Sequence, residues 1–194
     1  MLRPAFTLVE ILVVIVIMGI VSALTINSGL ATQKQAIFQT NFQTIVLMVQ
    51  EVRSLALADS NEINNGYGIQ MELDTQTVTS FVDLDNDGFY TATDRELDTI
   101  NLLDNPNFNL AATAYALQEG AKDFVSTLVP VNTNTITIFF PTKALACNLV
   151  ARVDGLNEEL SYIEANFTDN ATRNRILSLH HLSCIPEVSQ KSLL

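Results

Sequence analysis

The chain has 194 residues and carries 21 acidic against ten basic side chains, a formal net charge of −11. That balance argues against a nucleic-acid surface, because neutralising phosphates takes clustered Lys and Arg and here the few basic residues are scattered. Once an apolar N-terminal stretch is set aside, about 165 residues remain, enough for one domain with its own core.

The apolar stretch runs from Phe6 to Ile26, FTLVEILVVIVIMGIVSALTI, and contains a single charge, Glu10. As a helix it measures about 30 Å, the thickness of a bilayer's hydrocarbon core. Its β-branched residues, Val9, Ile11 and Val13 to Ile17 among them, weaken a helix in water but are tolerated where every backbone group must bond internally. A membrane-spanning helix is the first expectation. A secretory signal peptide fits poorly: the leader MLRPA holds one basic residue, Arg3, and NSGLATQKQ after Ile26 offers only a weak cleavage site. An uncleaved signal anchor with Arg3 on the cytoplasmic side fits better, yet it leaves Glu10 unexplained. A carboxylate in a spanning segment costs about 2.5–3.5 kcal/mol on insertion scales and calls for a partner or a function.

Ala5, Phe6, Thr7, Leu8, Val9 and Glu10, with the apolar run directly behind them, resemble the processing site of type IV prepilins and type II secretion pseudopilins. The resemblance implies that a prepilin peptidase cuts between Ala5 and Phe6 on the cytoplasmic side and that the new Phe6 amine is methylated. Residue Ala5 stands where the family usually has glycine. In a filament of packed helices the Glu10 carboxylate of one subunit would meet the Phe6 amine of a neighbour, removing two charges from apolar surroundings at once. The implied organisation is a leader at residues 1–5, a transmembrane and filament-core helix at 6–29, and an extracytoplasmic domain at 30–194. The implied partners are inner-membrane lipid, the peptidase, an assembly platform and other pilin or pseudopilin subunits.

From Asn27 to about Leu57 the helical character continues and becomes amphipathic. Ile37, Phe38, Phe42, Ile45, Val49, Val52 and Ala56 recur at intervals of three and four, predicting one helix from Phe6 to about Ala58. Gly19 and Asn27-Ser28-Gly29 are places for it to bend. Asp59-Ser60-Asn61 and Asn64-Asn65-Gly66 then stop it. Tyr67, Ile69, Met71 and Leu73 alternate with Gly68, Gln70 and Glu72, the pattern of a half-buried strand; Asp74-Thr75 turns, and Val78 to Val82 returns as the second arm of a hairpin.

Residues 83–94, DLDNDGFYTATD, carry acids at loop positions 1, 3, 5 and 12 and glycine at 6, the spacing by which one loop wraps Ca2+ with oxygen ligands. The expected ligands are Asp83, Asp85, Asp87, the Phe89 carbonyl, Thr91 through water, and Asp94. The flanks do not read as two helices, so the loop sits between strands rather than in an EF-hand. The plain alternative is an acidic turn that needs no metal. Residues 59–104 hold eleven acids and one base, Arg95, and that repulsion favours a cation. The long helix, its Leu55-to-Asp59 end, the strand pair and the segment from Phe81 through Asp83, Asp85 and Asp87 to Gly88 resemble the H-type minor pseudopilins and related minor pilins.

Asn105-Pro106-Asn107 breaks the chain, Leu110 to Gln118 is expected as a short helix, and Phe124, Leu128 and Val129 are expected on the core. Thr135 to Phe140 and Ala146 to Val153 read as strands, followed by one strand through Leu160, Tyr162, Ala165 and Phe167 and a last one from Arg175 to Ser183. In an exported domain Cys147 and Cys184 would form a disulfide contributing about 3–4 kcal/mol in the chain-entropy model; two reduced core thiols are the alternative. His180 and His181 are adjacent, so in a strand they point to opposite faces and cannot serve one metal or one nucleophile. With no glycine-rich phosphate loop either, the expected product is not an enzyme. It is a structural, pilin-like α+β subunit, a long N-terminal helix packed on a mainly antiparallel sheet. The competing function is a membrane-anchored extracytoplasmic domain that never polymerises and uses the acidic loop for Ca2+-dependent adhesion.

Overall fold

One helix, α1 (Leu8–Ala58), occupies the N-terminal quarter of the chain and runs uninterrupted through Gly19 and Asn27-Ser28-Gly29. The computed structural model describes residues 8–59, 66–104, 108–117, 128–144, 146–153, 156–169, 173–181 and 183–189, with backbone only at 23–31, 104, 117, 128–129 and 173. Ala5 and Phe6 lie outside the described residues, as does Phe124. The chain divides into two compact units, residues 1–40 and 41–194.

In the first unit every large apolar side chain from Leu8 to Val21 is exposed, from 47% at Val13 to 80% at Leu8. Among the described residues no helix is long and apolar enough to cross a membrane. The side chains described, Leu8 to Ser22, cover about 22 Å of rise, against the roughly 30 Å of a hydrocarbon core.

In the second unit α1 buries Phe42, Ile45, Val49, Val52 and Ala56, the three-and-four spacing that puts one stripe on one face. Phe42 meets Phe167 edge to face at 5.3 Å between ring centroids, and Phe167 in turn packs on Phe108. The end of the helix is tied down by two hydrogen bonds: Lys143 N donates to Ala56 O at 3.0 Å, and Tyr67 Oη donates to Asp59 at 2.7 Å.

Two antiparallel sheets complete the unit. The first has the order β3-β2-β1-β6-β7-β8, made of β1 (Gly66–Glu72), β2 (Thr77–Asp83), β3 (Arg95–Asn101), β6 (Thr135–Pro141), β7 (Asn148–Val153) and β8 (Leu156–Leu160). The second has the order β11-β10-β9-β4-β5, made of β4 (Phe108–Leu117), β5 (Leu128–Val131), β9 (Tyr162–Asp169), β10 (Arg173–His180) and β11 (Glu187–Ser189).

Strand β1 is buried on both faces rather than one, because it lies between β2 and β6 and both of its surfaces are covered. Tyr67, Ile69 and Met71 line one face beside Phe140, Ile138 and Ile136. The other carries Gly66, Gly68 and Gln70, and aromatic rings from the neighbouring strands close over its glycines. A Cβ on Gly68 would stand 2.3 Å from Phe81 Cζ, and one on Gly66 would stand 2.4 Å from Phe139 Cζ and 2.7 Å from Phe140 O.

Two other expectations are corrected, and two strands were not anticipated. Residues 110–118 are not a helix: Leu110 to Leu117 belong to β4, which pairs with β9 from Phe108 to Tyr115. Alanine-rich composition suggested a helix, and long-range pairing overrides that weak preference. Leu160 and Tyr162 do not share one strand, since the chain leaves the first sheet at Leu160 and enters the second at Tyr162, with Ser161 as the corner. Strands β3 and β11 carry no apolar alternation that would announce them, because both are exposed edges. The Cys147–Cys184 disulfide joins the residue before β7 to the turn after β10 and so ties one sheet to the other.

The glycine contact yields a test. Gly68→Ala should destabilise the domain by about 1–3 kcal/mol, the usual cost of forcing a methyl into a packed core. Denaturant unfolding measures it, and an unchanged midpoint would mean the Phe81 ring can move aside.

Candidate functional site

Two places carry chemistry, and they lie in different units. In the first, Glu10 sits in the opening turn of α1, exposed, where a carboxylate suits the positive end of the helix dipole. Val13, Val14 and Ile17 follow it on the same face, three, four and seven residues on. It is the one charged side chain in a band of exposed aliphatics from Leu8 to Val21.

In the second unit the acidic loop joins β2 to β3. Asp83, Asp85, Asp87 and Asp94 are brought together so that one carboxylate oxygen from each lies within 4.8 Å of the others. The loop builds this cluster out of its own turns. Asp83, the last residue of β2 and fully buried, accepts hydrogen bonds from Asn86 N at 2.6 Å and Gly88 N at 3.1 Å. Asn86 and Gly88 turn the chain with positive φ, 63° and 77°, a conformation that asparagine and glycine enter most easily. Asp94 accepts from Leu84 N and Thr91 N, each at 2.8 Å, which closes the loop on itself. Thr91 and Thr93 hydroxyls both donate to Asp85.

The electrostatics differ from one carboxylate to the next. Burial pushes the Asp83 carboxyl above its ordinary value; the two backbone amides pull it down, and the charges of Asp94 and Asp85 add to the rise. The Thr93 hydroxyl holds Asp85 below its ordinary value. Each carboxylate keeps lone pairs beyond those its hydrogen bonds use. Four hard oxygen donors in this space therefore fit a Ca2+ ion rather than a soft metal.

Arg152, Gln70 and Tyr90, which sequence reasoning did not assign to the site, fix the loop to the first sheet together with the Phe89 ring. Phe89 is fully buried, and the Arg152 guanidinium of β7 lies over its ring at 4.4 Å while reaching Asp87 at 4.0 Å. Gln70 of β1 accepts from Tyr90 N at 2.9 Å, and the Tyr90 ring rests on Phe81. No local pattern links Arg152 or Gln70 to the loop; only the order β2-β1-β6-β7 brings them under it.

The two histidines also depart from expectation. β10 ends at His180, and the following turn swings His181 back so that the rings stack 5.0 Å apart instead of facing opposite ways. Burial and the neighbouring His181 lower the His180 pKa, with Glu187 opposing.

Residues 3–26 match the family model of the prokaryotic N-terminal methylation motif. No curated protein and no solved structure matches the chain. The matched segment supports a type IV pilin-like precursor, a structural rather than enzymatic class whose members assemble with other pilin subunits at a membrane.

The raised Asp83 pKa sets a sign that can be measured. A folded carboxyl titrating above 3.8 contributes stability when protonated, and this is lost as pH rises from 3.8 through the folded value. In chelator, Asp83→Asn should be less stable than wild type by about 1–2 kcal/mol for its misdirected amide. The gap should narrow as pH rises from 3.8 in denaturant titrations, and a widening gap would reverse the assignment.

Proposed function

We propose that the protein is a structural subunit, of the minor kind, in a type IV pilus or type II secretion pseudopilus. Its N-terminal helix holds it in the inner membrane and then forms the filament core after cleavage at Ala5-Phe6 and methylation of Phe6. The observation that carries this reading is the exposed apolar surface from Leu8 to Val21. Such a surface is covered either by lipid or by the same helix of other subunits, and both covers belong to the life of such a subunit. The match at residues 3–26 supports it independently.

Glu10 is the register element. Paired with the Phe6 amine of a neighbouring subunit it has a counter-charge; in any other register its carboxylate lies against aliphatic side chains at a cost of a few kcal/mol. The acidic loop is a Ca2+ site in this reading, with Asp83, Asp85, Asp87 and Asp94 as carboxylate ligands, the Phe89 carbonyl as a backbone ligand and Thr91 acting through water. A bound cation would neutralise the repulsion among these acids. The protein's own residues do the rest: Phe89 and Gln70 hold the loop on the sheet, and Asp83 anchors its turn.

Intact mass and N-terminal sequencing of protein from its native membrane should find a chain beginning at methylated Phe6. A chain still beginning at Met1 would instead favour the anchored, non-polymerising Ca2+-dependent adhesion domain. Glu10→Ala should abolish assembly while leaving the domain folded, and normal filaments from that variant would sink the register role. Calorimetry on the full chain in neutral detergent should show Ca2+ binding that Asp83→Ala removes; no heat at millimolar Ca2+ would leave residues 83–94 an acidic turn.

A further inference from the structure

The two sheets differ in how their outward faces are finished. On the first, the acidic loop lies across the face, and its aromatic ring and carboxylate share an internal cation: Arg152 covers Phe89 at 4.4 Å and reaches Asp87 at 4.0 Å. The second sheet repeats the aromatic and the carboxylate without the cation.

Strand register defines that second face. Phe167, which packs on Phe42 of α1, points to the helix side; its neighbours along β9, Tyr162, Glu164 and Asn166, therefore point the other way. Tyr162 pairs with Tyr115 of β4, and their rings lie 5.7 Å apart and half-buried. Glu164 stands two residues along β9, about 7 Å from Tyr162 on the same face. Beyond Ser178, which pairs with both, the next strand presents a second, exposed carboxylate, Glu187. An aromatic row and an acidic row thus run side by side across the strands.

By register His180 stands across from Tyr162 on this face and lies within reach of the Glu187 charge, whereas Glu164 has no donor among the described residues. Among the described residues Glu164 makes no hydrogen bond or ion pair, and the buried amide oxygens Asn166 Oδ1 and Asn174 Oδ1 have no hydrogen-bond partner. Strands β4, β5, β9 and β11 contain no Lys or Arg, and Arg175 of β10 belongs by register to the Phe167 side. Negative ring faces and an unpaired carboxylate both ask for the same thing, a cation that brings N–H donors.

The geometry points to a docking face for a basic, extended segment of a partner protein, with Arg or Lys side chains lying on Tyr115 and Tyr162 and their charged ends on Glu164 and Glu187. It copies from outside what Arg152 does for Phe89 and Asp87 from within. This face is independent of the acidic loop and of the apolar end of α1.

The test is fluorescence anisotropy of a labelled Arg-Ser repeat peptide with the full chain in neutral detergent at physiological salt. Glu164→Gln should weaken binding about fivefold, and Tyr162→Leu should do so by a similar factor, as expected for losing a carboxylate or a ring beneath a cation. Asp98→Asn, the same loss of charge on exposed β3 of the other sheet, should change it less than about twofold if only long-range charge is altered. Equal losses for Glu164→Gln and Asp98→Asn would reduce the effect to net charge and overturn the site. Absence of binding, or displacement of the peptide by a neutral oligosaccharide as readily as by unlabelled peptide, would overturn it too.

Discussion

Apolar surface left in water costs about 25 cal/mol per Å², and from Leu8 to Val21 this chain leaves all of its apolar side chains uncovered. That debt is the constraint on which the rest depends. No rearrangement within the helix settles it, because the aliphatic residues go all the way round rather than forming a stripe. The cover must come from lipid or from like helices, and the single acid within the run, Glu10, makes these covers unequal. Lipid offers the carboxylate nothing, whereas a neighbouring chain can offer an amine. In the proposed assembly, a helix whose apolar surface is indifferent to register would acquire a preferred register from that one charge.

The globular part solves the opposite problem, because its core is filled from within. β1 has no open face: two glycines accept the Phe81 and Phe139 rings, and the opposite side packs in line with Phe140, Ile138 and Ile136. Gln70, buried in the same strand, would be costly alone, and it is satisfied by receiving the Tyr90 amide of the loop. The acidic loop is therefore part of the packing of the first sheet, held through Phe89 and Gln70, while its four carboxylates gather from the buried Asp83 out to the exposed Asp85 and Asp87. Asp83 links the two parts: it is buried as part of the sheet and is one of the four acids that the loop brings together.

How much of this was legible in the sequence follows from the range of each signal. The helix, the β1–β2 hairpin and the acidic loop are written in spacings of a few residues, and the chain shows them where those spacings put them. Glu10 stands out in the sequence because a lone charge among aliphatics has no local excuse, and the structure places it, exposed, in the first turn of the helix. What was hidden depends on partners far along the chain. β4 looks helical until β9 pairs with it, and the single strand expected through Leu160 and Phe167 breaks at Ser161 because two different sheets claim its halves. Arg152 follows the loop by more than fifty residues and carries no mark of its place over Phe89. The His180–His181 rule failed for a local reason: it assumed a strand through both residues, and the strand ends between them.

The two outward sheet faces show what a subunit needs besides a core. On the first face the loop brings its own arginine over its own aromatic ring. The second face has paired tyrosines and, among the described residues, an unpaired Glu164 with no arginine over them, which is why a basic partner is proposed for it. Leaving the buried amide oxygens Asn166 Oδ1 and Asn174 Oδ1 unmet costs stability, roughly 1–3 kcal/mol for each. In the proposed subunit the helix would supply apolar, repetitive contacts and the second sheet a polar surface with a charge preference, while the disulfide between Cys147 and Cys184 keeps the two sheets joined.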